Sequence, residues 1–311
     1  LLISFLIVLS FDTHSANPGK IHPNGLTVNF LSHAGQVYQN GYPVNTPLYQ
    51  AIGRKESFQF SEIAQKKPFF GWIVNSDQNN TTQIAYQILV ASSLEAIQKN
   101  VGDYWDSGKT ESNQSINISY AGKELQPNSV YFWKVKTWDN HGVESSFSAV
   151  SQFKTASVLV DYATARYPIQ KQDIYPVKIK PILNSAWFVD FGKAAFAQLR
   201  LTLNGKMGND TVLVHLGEAQ KEGRINRTPG GTIRYSVYQL VLKPGWNTYQ
   251  IVLNPDKRNT GPQAVLMPEY FGEVTPFRYC EIEGYNDQLA PTQIVQQIAF
   301  YPFDETESYF A

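Results

Sequence analysis

The chain has 311 residues, in which 26 Lys and Arg balance 26 Asp and Glu, so its formal net charge is zero. That balance supplies no electrostatic pull toward nucleic acid or an anionic membrane surface. Charged residues are 17% and aromatics 14% of the chain, a composition that points to β-sandwiches with polar outer faces and suits a protein that handles sugars. The fold class read from it is all-β, and the length favours two consecutive domains.

Residues 1–9, LLISFLIVL, form an apolar run too short to span a bilayer. Small residues follow at Thr13, Ser15 and Ala16, so 1–16 reads as a secretory signal peptide without its basic n-region, and the chain as exported, periplasmic or extracellular. The lone cysteine, Cys280, forms no internal disulfide and reads as a small buried hydrophobe. Residues 17–67 read as an N-terminal extension packed against the adjoining module. Within it 26–31 alternates like a strand, Asn40-Gly41-Tyr42-Pro43 is turn chemistry, and 55–65 is predicted as one short helix.

Residues 68–156 divide into short strands: 69–74, 84–90, the edge-like 104–108, 115–120, 131–136 and 148–154, with a helical piece at 94–99. Leu125, Pro127 and Tyr131 stand before an alternating strand with the spacing of a tyrosine corner, in which the phenol bonds back to upstream backbone. Tyr131, Trp133 and Val135 share one face of that strand, and the turn cluster Asp139-Asn140-His141-Gly142 ends it. Gly102 to Thr110 comes close to a phosphate-binding loop. Five residues instead of four separate its glycines, however, and no amphipathic helix follows.

Residues 157–184 are a connector punctuated by Pro168, Pro176 and Pro181, with a strand-like piece at 177–179. A second sandwich is predicted over 185–302. Its strands are 187–192 leading into 197–203, then 211–216 with Val212, Val214 and Leu216 on one side, and 277–283. Strands 233–242 and 248–253 are predicted to pair through Lys243-Pro244-Gly245-Trp246-Asn247.

The blocks Trp105-Asp106-Ser107-Gly108-Lys109, 125–142 and 151–155 resemble a fibronectin type III-like module, the first module of bacterial α-L-rhamnosidases of glycoside hydrolase family 78. Further blocks at 187–192, 215–218, 224–235, 255–261 and 276–283 follow in order. They resemble the concanavalin-like, jelly-roll sandwich that precedes the catalytic domain in that family. The resemblance implies that the complete enzyme hydrolyses terminal rhamnose from glycans with inversion, that the partners are rhamnose-containing glycans and the chain's own catalytic domain, and that no cofactor takes part. The family's catalytic carboxylates lie on a downstream α/α-barrel. No residue here matches their motif, so none carries over, and 303–311 reads as the start of a linker to that barrel. The alternative is a stand-alone secreted carbohydrate-binding or adhesion protein.

Glycoside hydrolysis needs two carboxylates about 5 to 9.5 Å apart with one held protonated. Glu281 and Glu283 project from one strand face at roughly 7 Å, and a solvated strand face or an ion pair with a neighbouring strand is the plainer reading. His14, His22, His33, His141 and His215 show no metal-ligand spacing. The loop 217–235 carries Glu218, Arg224, Arg227 and Arg234 around Pro229-Gly230-Gly231. With Trp246, these are the candidate carbohydrate-binding or interdomain residues. Glu218 and Glu222 are the expected partners of Arg224 or Arg227.

Overall fold

Period-two alternation of apolar and polar residues governs this chain, and nearly all of its regular structure is strand. The computed structural model describes residues 23–54, 57–182, 185–206, 210–264 and 266–302. The expected signal peptide and the expected linker at 303–311 lie outside the described residues. Among those described, 23–36, 46–52 and 60–166 make one compact unit, and 37–45, 53–59 and 167–302 make another. No helix among them is long and apolar enough to cross a membrane.

The first unit contains β1 (Pro23–Val28), β2 (Phe69–Val74), β3 (Gln83–Ala91), β4 (Trp105–Asp106), β5 (Ile118–Ser119), β6 (Val130–Asp139) and β7 (Ser151–Val160). One sheet runs β1-β2-β5; the other runs β7-β6-β3-β4, with Ile63–Gln65 added in parallel beyond β7. Three strands facing four make a sandwich whose inner faces must be apolar. Tyr131, Trp133 and Val135 are each at most 1% exposed. Trp133 packs against Phe70 with ring centroids 4.6 Å apart, and Tyr131 against Phe153 at 5.6 Å. Each such ring stabilises the fold by roughly 2 kcal/mol through burial. The tyrosine corner is in place: Gln126 N donates to Tyr131 Oη at 2.8 Å.

The other face of β6 is covered by α1 (Leu94–Gln98), which starts where Ser93 Oγ accepts from Ala96 N. Ile97 packs there with Phe132, Leu89 and Ala91. Lys134, on the same face, is buried; its Nζ donates to Asn100 and stands 4.7 Å over the Phe147 ring. The near-miss phosphate loop is ordinary strand and turn. Thr110–Glu111 pairs with β3, and Lys109 lies 5.1 Å over the Trp138 ring and 3.6 Å from Glu111.

The helix predicted over 55–65 is not formed among the described residues. Ile63 and Gln65 are buried while Ala64 is half-buried, a period of two, and they pair with β7 as a strand. The strand predicted over 115–120 shortens to Ile118–Ser119. Of the stretch read as an extension, β1 and Ile63–Gln65 belong to the first unit, and the hairpin Val37–Gln39 and Tyr42–Val44 to the second. Asn40 and Gly41, at φ of 51° and 84°, make the hairpin turn.

The second unit contains β8 (Gln170–Ile174), β9 (Lys178–Ile182), β10 (Ala186–Gly205), β11 (Thr211–Gly217), β12 (Gln220–Lys221), β13 (Arg224–Ile225), β14 (Tyr235–Val241), β15 (Gly245–Gln250), β16 (Thr275–Glu283) and β17 (Ile294–Phe300). The proline-punctuated connector supplies β8 and β9. The 20-residue β10 spans what reads in sequence as two strands. A register shift between Asp190 and Ala195, with Gly192 at φ 90°, bends it without ending it.

The first part of β10 lies between β9 and β16, its last part between β17 and β15, and β16 continues through β11 to β14. Leu199, Leu201 and Leu203 meet Val212, Val214, Leu216, Cys280 and Ile282 in one apolar cluster. The expected pairing of β14 with β15 does not occur: β14 pairs β11 and β15 pairs β10. Pro244 has no amide with which to close a hairpin ladder. With separate partners, Leu242 and Ile251 both reach the cluster.

Candidate functional site

Alternation along β16 turns Cys280 and Ile282 into the core, and Glu281 and Glu283 to the other face. The β12–β13 hairpin, turned at Glu222 and Gly223 with φ of 53° and 78°, brings Arg224 to this face. Arg224 donates from Nε and Nη2 to the two oxygens of Glu281, each at 2.8 Å, and from Nη2 to Glu283 at 3.1 Å. Arg227 Nη2 also donates to both carboxylates, at 3.0 Å to Glu281. Ile225 N completes the set at 2.8 Å from Glu281 Oε1. Glu281 is fully buried. Burial alone would raise its pKa, yet the hydrogen bonds from Arg224, Ile225 N and Arg227 hold it below the ordinary value.

Glu283 is likewise held low, with burial opposed mainly by Arg227. Two carboxylates that both stay ionised leave no general acid, so this pair does not meet the requirement of glycoside hydrolysis. Beside them His215 is 3% exposed, its Nδ1 2.8 Å from Tyr235 Oη. Its Nε2 lies 3.3 Å from Glu283 Oε2 in a poorly aligned contact. Burial, reinforced by the charge of Arg227, pushes the imidazole pKa down. Two guanidinium groups therefore face two carboxylates and an imidazole biased toward its neutral form, an arrangement that pins the 220–227 segment to the sheet.

A second network gathers where the same loop ends. Glu218 Oε1 accepts from Arg234 N at 2.6 Å, and Arg234 Nη1 donates to Asn259 Oδ1 at 2.6 Å. Asn259 sits on α2 (Lys257–Thr260), which is capped by Asp256. Arg258 forks onto Asp256 at 3.0 and 2.6 Å, and Arg234 lies 3.7 Å from that same carboxylate. The hydrogen bonds from Arg258 pull the Asp256 pKa down to about 2. Asn259 Nδ2 donates in turn to Glu273 at 3.0 Å, and the Arg234 guanidinium stands 5.4 Å over the Phe196 ring.

The five candidate residues thus separate into three places. Arg224 and Arg227 share the first network, and Glu218 and Arg234 the second. Trp246 belongs to neither; it lies on β15 opposite Asn204 and is 61% exposed. The expectation that Glu218 or Glu222 pairs with Arg224 or Arg227 is corrected, since both arginines reach across to β16. Sequence reasoning missed Asp256, Asn259, Glu273 and Phe196 as parts of one assembly. The Asp256-Lys257-Arg258-Asn259 run, a capped turn rich in forked donors, is the signal that could have found them.

Residues 58–158 match the family described as Rha78A-like, N-terminal immunoglobulin domain. That description and the expected fibronectin type III-like module name sandwiches of one class. An alpha-L-rhamnosidase from Formosa agariphila is 41% identical over 92 residues, 30% of this chain and 10% of that protein. The matched stretch therefore spans about a tenth of that relative's length. Two solved structures are similar in fold. The solved alpha-L-rhamnosidase from Dictyoglumus thermophilum has a TM-score of 0.55 at 16% identity, over 78% of this chain and 47% of that one. The enzyme from Aspergillus terreus has 0.58 at 8% identity, over 91% and 49%.

Proposed function

We propose that this chain is the non-catalytic N-terminal accessory region of an exported bacterial α-L-rhamnosidase, whose complete form hydrolyses terminal α-L-rhamnose from glycans. The match of residues 58–158 to a rhamnosidase N-terminal domain carries the reading. The ordered blocks of the second sandwich support it, and so does the ionised state of Glu281 and Glu283. In this reading the 220–227 segment, held by Arg224 and Arg227, is a rigid element that positions the catalytic domain. The apolar run at 1–9 with the small residues after it supports export.

Reading the source DNA beyond the codon for Ala311 tests the proposal. A frame that continues for several hundred residues with helical periodicity and a paired-carboxylate motif supports it; a stop codon there overturns it. Hydrolysis of an aryl rhamnoside by the 311-residue chain itself would defeat the non-catalytic assignment. The exposure of Trp246 favours a second reading, a stand-alone carbohydrate-binding module. Rhamnose binding that disappears in Trp246→Ala is the result that selects it.

A further inference from the structure

In the second unit Phe196, Phe300, Tyr301 and Leu266 help to wall a cleft of about 640 Å³, within the ~300–1,000 Å³ typical of small-molecule sites. Phe196 and Leu266 remain 47% and 64% exposed. Most of the lining is apolar, and its charged members are Arg234, Arg258 and Glu273. These polar groups are already committed to one another. Arg258 forks onto Asp256, Arg234 donates to Asn259 and covers Phe196, and Asn259 donates to Glu273 and to Val274 O. Two guanidinium groups are matched by the two carboxylates of Asp256 and Glu273.

That bonding pattern selects the ligand. A bare sugar would surrender water at every hydroxyl and find few partners free to replace it. An anion would find no excess cation. An uncharged flat ring loses little on entering and gains the apolar walls. We propose that this cleft binds an uncharged aryl group of a small molecule, with Phe196 and Leu266 closing on the ring and the Arg234–Asn259–Glu273 chain serving as a pre-formed rim. The inference rests on the cleft alone and stands or falls separately from the accessory-region reading.

The test is an NMR titration of the isotope-labelled 311-residue chain with naphthyl glucoside, methyl glucoside and naphthyl phosphate. Naphthyl glucoside is expected to shift the amides of Phe196, Asn259, Gly272 and Phe300, and to bind at least about tenfold more tightly than methyl glucoside. Phe196→Ala should weaken it by about fivefold or more. Leu266→Ser, at the more exposed position, gives the same reading should Phe196→Ala fail to fold. Equal binding of the methyl and naphthyl glucosides would make this a sugar site, and tighter binding of the phosphate an anion site. Either result overturns the proposal, as does the absence of shifts up to the solubility limit or their confinement to the surroundings of Trp246.

Discussion

Arg224 grips Glu281 with two parallel hydrogen bonds of 2.8 Å, although the arginine side chain is 38% exposed and the carboxylate wholly buried. This asymmetry decides what each truncation does. Removing Arg224 strands a buried charge on Arg227 and one amide, whereas removing the charge of Glu281 releases arginines that water can reach. Arg224→Ala should therefore cost roughly 3 kcal/mol and Glu281→Gln only about 1 to 2. Urea denaturation of the two variants measures both, and the reverse order would sink the account.

Acid should weaken the second unit in two stages. The folded-state pKa of His215 is depressed, so its contribution is complete above the unfolded value of about 6.5 and is lost as pH falls through the lower folded value. Glu281 and Glu283 are also depressed. Their contribution is complete above about 4.3 and is lost below it, through their folded values. Melting temperature measured from pH 8 to 3 should be level at first and then fall in these two windows. His215→Gln should abolish the upper stage alone; an upper stage that persists in this variant assigns it elsewhere.

In the first unit, Tyr131→Phe keeps the ring against Phe153 and Tyr104 and deletes the hydroxyl's bonds, the one accepted from Gln126 N among them with those to the Tyr104 and Ser129 side chains. An amide at the corner is left without its acceptor, which should cost about 1 to 2 kcal/mol. The denaturation midpoint should fall while the slope with urea stays unchanged. A change in slope would mean that the corner directs the topology and does more than stabilise it.

The reach of the sequence is set by the range of the interactions. Val212, Val214 and Leu216, like Tyr131, Trp133 and Val135, announce their buried face because alternation is local, and all six are at most 1% exposed. The partner of Arg224 lies 57 residues away, and no spacing in the loop 217–235 points to β16. Local pattern also fails where one strand serves two neighbours. The Gly192 bend divides β10 in the sequence, and Pro244 hides the divergence of β14 and β15. The cleft was invisible for the same reason: Phe196, Asn259 and Phe300 come from three distant segments.

A two-residue turn closes the bridge between Val28 and Leu31, which exchange hydrogen bonds of 3.1 and 2.9 Å across it. Asn29 and Phe30 occupy it at φ of 47° and 66°. Asparagine tolerates that region, and here it is anchored, since Asn29 Oδ1 accepts from Phe69 N at 2.7 Å and Nδ2 donates to Gln65 at 3.2 Å. Phenylalanine tolerates it poorly, and the ring of Phe30 is 64% exposed and recovers little by packing. Phe30→Gly relieves the strained backbone and leaves both Asn29 bonds in place, so it should stabilise the first unit by about 1 kcal/mol. Thermal unfolding of the variant checks this, with a higher midpoint expected. A lower one would show that the exposed ring contributes more to the native state than its strained backbone costs.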